Sequence, residues 1–314
     1  MRPLLFFSFL VIALTISPVG AQDSVIVADA TTGRVLVQKD ADKKRPVASL
    51  TKIVSAMVVL DWAQVTGTDL ATQIQLQPST VAIGGPNPMQ LRAGDTISLR
   101  DALYSALLGS DNIATQAMAE FVGFALARQR QTKAPPVIEF VKEMNALAEA
   151  VGAQNTQFYR PHGLEGGGKI GLSTAADMAI LTMRAMSSDA FAFYVSQKER
   201  EISVTRGGQE LKFTVQNTNK LLGQNNIIGV KTGLTTRAGQ CLATFQRRKP
   251  LIKKLGENNQ IAKRQLVCIV LNSQDRFAQT RSLLEQGKSI FDQWATAGFP
   301  SGTAGERYLP IPKV

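Results

Sequence analysis

Strand-like patterning sits at both ends of this chain and helix-like patterning between them, and that order restricts the fold more than any other feature. Ser24 to Ala30 alternates β-branched and apolar residues, Thr32-Gly33 reads as a turn, and Arg34 to Gln38 resumes the alternation, which predicts an opening β-hairpin. From Leu50 the apolar residues recur as Ile53, Ala56, Met57 and Leu60, the spacing of a core-packed helix with Ser49 near its start. Leu99 to Phe121 is largely helical with an interruption around Gly109. Val137 to Val151 is amphipathic after Pro135-Pro136, and Ser173 or Thr174 followed by Asp177 caps a helix running to about Met186. Lys212 to Gln216, Ile227 to Thr232, Gln240 to Phe245 and Gln265 to Leu271 are short and strand-like. Arg276 to Trp294 closes as a helix with Phe277, Leu284, Phe291 and Trp294 on one face, a stripe suited to covering a sheet. Strands, helices, strands and a last helix predict an α+β fold, its antiparallel sheet assembled from both chain ends around an inserted, mainly helical lobe.

The amino terminus predicts export. Arg2, the mostly apolar run Leu4 to Ile16 and the small residues Val19-Gly20-Ala21 read as a signal peptide over 1–21, too short in its apolar run to span the roughly 18 residues a bilayer core needs. The expected location is therefore periplasmic or extracellular, associated with the cell wall. A formal net charge of +11 raises the question of nucleic acid, which export argues against; anionic wall polymers or lipid headgroups are the polyanions met outside the cytoplasm. Seven basic residues against one acid, Glu257, fall within Gln246 to Gln265, and this segment is expected to make peripheral contact with anionic wall or membrane or to stay solvated. Beyond Gly298 the Gly- and Pro-rich tail, 298–314, should be loosely ordered.

Few residue types are available for catalysis. His162 is the single histidine and a Cys/His metal site normally takes three or four ligands, so neither metal nor cofactor is expected. A nucleophile activated elsewhere must use lysine or a carboxylate. Cys241 and Cys268 both fall on strand-like segments, where a cross-strand bridge and two buried thiols are equally open. Ser49-Leu50-Thr51-Lys52 places a hydroxyl and an amine three positions apart at a helix start, within reach of each other. The amine must be neutral to take the serine proton, so its pKa has to fall through burial or a nearby positive charge such as Lys231. The backbone N–H of Ser49, free at a helix N-terminus, can donate to a developing oxyanion. Alone, Ser-x-x-Lys arises about once by chance in a chain this long. Its company matters: Ser110-Asp111-Asn112 lies at the helical break and Lys231-Thr232-Gly233 on a predicted strand.

These three patterns resemble the fingerprints of serine penicillin-binding enzymes, a set also known from class A β-lactamases. The similarity is greatest to the low-molecular-mass D-Ala-D-Ala carboxypeptidases. It extends to Arg160-Pro161-His162-Gly163-Leu164, to Ser173 through Ala179, to Asn217 through Leu222 and to Gly229-Val230, and covers Ser24 to Trp294. The resemblance implies a β-lactamase/transpeptidase-like catalytic domain over 22–297 that binds peptidoglycan stem peptides and is acylated by β-lactams. It further implies Ser49 as nucleophile, Lys52 as base, Ser110 as proton relay and Asn112 as a substrate or lysine contact. Lys231 and Thr232 would receive the substrate carboxylate, with Thr235 and Arg237 extending that site. The N–H of Leu234, next to Gly233, would complete the oxyanion hole. Asp111 stands where many carboxypeptidases carry glycine and gives the middle motif a β-lactamase look. Glu165 precedes a run of glycines and lacks the Glu-x-x-Leu-Asn pattern of a deacylating base, and His162 fits a hydrogen-bonding role. Besides carboxypeptidase action, the alternatives are D,D-endopeptidase action on cross-bridges, a class A-like β-lactamase, and an inert wall-binding protein.

Overall fold

The computed structural model describes residues 23–166, 168–255, 258–302 and 305–312, with side chains outside 253–260. The expected leader over 1–21 lies outside the described residues. Strands β1 (Ser24–Asp29) and β2 (Val35–Lys39) form the opening hairpin, and β3 (Arg45–Pro46) leads to a one-turn 3-10 helix, Ala48–Leu50, that runs directly into α1 (Thr51–Thr66). Then come β4 (Gln73–Gln75), α2 (Pro78–Val81), β5 (Thr96–Ser98), α3 (Leu99–Tyr104) with a π-helical turn at Ser105–Gly109, α4 (Asn112–Gln129) and α5 (Pro136–Ala150). Next are β6 (Leu172–Ser173), α6 (Ala175–Met186), α7 (Asp189–Ser196) and the hairpin of β7 (Glu199–Arg206) with β8 (Gln209–Gln216). Strands β9 (Ile227–Thr235), β10 (Gly239–Leu255) and β11 (Asn258–Ser273) and helix α8 (Arg276–Thr296) close the chain.

The main sheet has the antiparallel order β2-β1-β11-β10-β9, so strands from both chain ends meet at the β1–β11 pair, as the patterning predicts. Alternation along its strands sorts the side chains onto two cores. Ile26, Ala28, Ala243, Val267 and Ile269 join the helical lobe around α1, which is buried on nearly every face. Val25, Val27, Leu266, Val270 and Leu242 meet Leu284, Phe291 and Trp294 of α8. The same parity separates the two cysteines: Cys241 faces the first core and Cys268 the second, and both are free thiols.

Three features depart from the sequence expectation. The strand at Lys212 to Gln216 belongs to a second sheet, β4-β5-β7-β8, built within the helical lobe. The basic segment Gln246 to Gln265 is no solvated loop, because β10 and β11 keep their ladder out to Leu255 opposite Asn258. The tail is not loose over its described residues 305–312. Arg307 grips the Asp42 carboxylate with both terminal nitrogens, Leu309 N–H donates to Gly33 at 2.8 Å, and the Leu309 side chain is buried. Gly33 permits this docking, since a Cβ there would stand 2.1 Å from the Leu309 carbonyl oxygen. The interruption expected around Gly109 is present, as one π-turn closed by Ser110 in the left-handed region at φ 63°.

Candidate active site

Ser49 sits in the 3-10 turn, half-exposed, and Lys52 is one turn along on the same side, 1% exposed. The Lys52 amine donates to Ser49 Oγ at 2.9 Å, to Asn112 Oδ1 at 2.7 Å and to the His162 carbonyl at 2.9 Å. Three acceptors use all three N–H bonds of an ammonium. Once the amine loses a proton, two N–H groups hold Asn112 and His162 while the lone pair faces the Ser49 hydroxyl. Burial pushes Lys52 down to about 7, against the opposing pull of the Asp111 charge. Of the two causes the sequence leaves open, burial and a nearby positive charge such as Lys231, desolvation is the main one.

The middle motif is held by the start of α4. Asp111 caps the helix by accepting from Ala114 N–H at 3.0 Å and also accepts from Ser105 Oγ at 2.9 Å. Wholly buried, its carboxyl is pushed up to about 6 by desolvation. This cap aims the next side chain, Asn112, at Lys52, and leaves the Ser110 hydroxyl without a partner among the described residues. Asn112 N–H donates to the Pro86 carbonyl at 2.9 Å, and its buried Nδ2 has no acceptor. Gly85, at φ 84°, lies so close that a Cβ would stand 2.2 Å from that Nδ2.

From the other side the edge strand β9 presses on the Ser49 turn. A Cβ on Gly233 would lie 3.0 Å from the Val47 carbonyl oxygen and 3.2 Å from Ser49 N, so a side chain there would press the strand and the Ser49 turn apart by a few tenths of an ångström. Lys231 is 1% exposed, with its amine on the Thr232 carbonyl at 3.1 Å; burial first, then Lys52 and Arg276, hold its pKa well below the ordinary lysine value. Thr232 Oγ1 is 2.7 Å from Thr218 Oγ1, which ties β9 to the Asn217 to Leu222 block. Leu234 leaves its side chain 63% exposed. Thr235 donates its hydroxyl to Glu165 and accepts from Ala238 N–H, whereas Arg237 is exposed in the turn without a partner among the described residues.

His162 Nδ1 accepts from Leu164 N–H at 3.1 Å, and burial pushes the imidazole down to about 3, so it stays neutral at ordinary pH. Gly163 brings this segment against Ala48; a Cβ there would clash at 2.0 Å with the Ala48 carbonyl oxygen. One group escapes the sequence analysis: half-buried Arg276, at the first turn of α8, donates to the Gly233 carbonyl at 2.7 Å and faces Lys231. It carries no motif, and its only sequence signal is a cation immediately after β11, the strand beside β10.

Ser49, Lys52, Asn112 and Lys231 to Gly233 thus converge from three separated chain segments, with Ser110 two residues before Asn112. A family model described as D-alanyl-D-alanine carboxypeptidase matches residues 15–253. A D-alanyl-D-alanine endopeptidase of Pseudomonas aeruginosa is 33% identical over 231 residues, covering 71% of this chain and 66% of that protein. A D-alanyl-D-alanine carboxypeptidase of Bacillus subtilis is 28% identical over 220 residues, 70% of this chain and 52% of that one. The chain therefore spans between about half and two thirds of the length of these relatives. Among solved structures, a Streptomyces DD-transpeptidase superposes with a TM-score of 0.73 at 28% identity, covering 87% of this chain and 98% of the other. A Mycobacterium tuberculosis D-alanyl-D-alanine carboxypeptidase shares the fold with a TM-score of 0.65 at 23% identity over 93% of this chain and 96% of the other.

Proposed function

Because the chain belongs to the D-alanyl-D-alanine carboxypeptidase family of serine DD-peptidases, we propose that it removes the terminal D-Ala from peptidoglycan stem peptides outside the cytoplasm, through an acyl-enzyme on Ser49. The observation that carries this reading is the Lys52 amine bonded at once to Ser49 Oγ, Asn112 Oδ1 and the His162 carbonyl in a buried setting that favours its neutral form. Lys52 takes the Ser49 proton as Oγ attacks the penultimate D-Ala carbonyl carbon. The N–H groups of Ser49 and Leu234 stabilise the oxyanion, and Lys231, Thr232 and Arg276 receive the terminal carboxylate. Collapse of the tetrahedral intermediate breaks the C–N bond, and the leaving amine takes its proton through Ser110. Water then attacks the ester carbonyl, Lys52 takes its proton, and Ser49 leaves as the free hydroxyl. Export by residues 1–21 would deliver the enzyme to this substrate, and β-lactams would acylate the same oxygen.

Intact-protein mass spectrometry after benzylpenicillin should show one adduct on the chain and none on Ser49→Ala, with D-Ala release from a pentapeptide lost in the same variant. An adduct surviving Ser49→Ala removes the reading. Endopeptidase action on cross-bridges is the second reading, favoured by the endopeptidase name of the Pseudomonas relative. It uses the same acyl-enzyme, and turnover of a cross-linked muropeptide dimer set against a monomeric pentapeptide separates the two.

A further inference from the structure

The hairpin of β10 and β11 outgrows its sheet. Gln246 is the last β10 residue paired with β9 and Leu266 the β11 partner on the β1 side, yet the two strands continue as a free two-stranded arm out to Leu255 opposite Asn258. At about 3.3 Å per residue, Ile252 stands roughly 15–20 Å beyond the sheet. A bulge between Arg248 and Leu251 sets the faces of this arm. One face serves the fold: Arg248 and Arg264 both bind Asp292 of α8, at 3.1 and 2.7 Å, and Leu251 and Ala262 line a groove with Ala295 and Phe299.

The opposite face has no such partner. Ile252 and Ile261 are direct cross-strand neighbours, 64% and 62% exposed, on the side away from α8. Arg247 and Lys263 lie on the same face but nearer the domain, and Lys249 projects from the bulge; all three are exposed and pair with no carboxylate among the described residues. An exposed apolar pair out along the arm with cations set behind it, and with Lys253 and Lys254 next in the sequence, is the distribution of an interfacial anchor, whose apolar groups enter the acyl boundary while its cations stay at phosphate level. A soluble polyanion would neutralise the cations and leave both isoleucines in water. We propose that this arm docks the protein on an anionic phospholipid surface, with Ile252 and Ile261 in the headgroup–acyl boundary and Arg247, Lys249 and Lys263 on lipid phosphates. The inference is independent of the catalytic reading.

The test uses the full chain with phosphatidylglycerol/phosphatidylcholine vesicles. An indole introduced by Ile252→Trp should shift its emission to the blue and be quenched by lipids brominated in their acyl chains, whereas Val65→Trp, on a residue 86% exposed at the end of α1, should stay unquenched. Ile252→Ser with Ile261→Ser should weaken vesicle binding about tenfold or more at unchanged benzylpenicillin acylation. Arg247→Gln combined with Lys249→Gln and Lys263→Gln, or 0.5 M salt, should weaken it likewise. An unquenched indole on vesicle-bound protein would overturn the proposal by placing the contact elsewhere. Binding to soluble polyphosphate as tight as to vesicles and indifferent to the serine pair would assign the arm to a polyanion, and self-association abolished by that pair would assign it to a second copy; either result defeats lipid docking.

Discussion

In the proposed mechanism the state of the Lys52 amine governs how fast Ser49 is acylated, so the pH dependence of acylation tests the site directly. An amine with the ordinary value of 10.5 would be neutral in roughly one molecule in 3000 at pH 7; one lowered to about 7 is neutral in about half. Burial therefore supplies on the order of a thousandfold more competent base at neutral pH. The second-order rate of benzylpenicillin acylation, followed by stopped-flow fluorescence or quenched mass spectrometry, should rise about tenfold per pH unit below pH 6.5 and flatten above about pH 7.5. Lys52→Arg keeps a cation there that does not titrate in this range, and should lower the plateau by about a thousandfold or more while the fold survives by circular dichroism. A rate that climbs steadily to pH 10, or one flat from pH 5 to 9, refutes the claim that a desolvated lysine is the base.

Asp111→Asn keeps the helix cap but removes the charge that holds the Lys52 value up, so the acidic limb of the acylation profile should move to lower pH; Asp111→Ala should in addition cost about 1 kcal/mol of stability in urea melts. Gly233→Ala forces β9 away from the Ser49 turn and should slow acylation about 10- to 100-fold with a much smaller change in thermal midpoint. Leu309→Ala should destabilise the domain by about 2–3 kcal/mol, measured by denaturant unfolding, because that tail side chain is part of the first core.

The fold could be read where one physical signal dominated. Period-two alternation marked both strands of the opening hairpin, and the helix signals at Leu50, Val137 and Thr174 agree with α1, α5 and α6 to within a residue or two. The short β4 and β5 escaped because three residues carry no usable period, and the pairing of β4 with β5 and of β5 with β7 is decided by tertiary contact alone. Charge misled twice: Lys and Arg in the β10–β11 arm read as loop, and polar Gly- and Pro-rich composition hid a tail fixed by Arg307 and Leu309. The motif residues of the site could be read because their chemistry demands fixed spacings, Ser49 to Lys52 above all. Arg276 could not, since it reaches the site across the sheet from a helix start that any capped helix would share. Thr235 is named by the family resemblance, but the engagement of its hydroxyl by Glu165, seventy residues away, is decided by tertiary contact alone.

The same kind of burial that lowers the Lys52 value leaves Lys231 as a desolvated amine with no carboxylate partner among the described residues, close enough to Lys52 and Arg276 for both to depress it. Such a group strains the fold until an anion arrives. Lys231→Met, similar in length and apolar, should therefore raise the urea midpoint, by about 1–3 kcal/mol of stability, while benzylpenicillin acylation falls at least a hundredfold. The sign follows from linkage: with the folded value below the unfolded 10.5, the unfolded chain holds the proton more tightly, so the cost is complete below the folded value and fades as pH climbs toward 10.5. The stability gained by Lys231→Met should accordingly shrink in alkali. A variant less stable than the parent at neutral pH would mean that Lys231 is already satisfied without substrate, and that the cleft holds no charge waiting for a carboxylate.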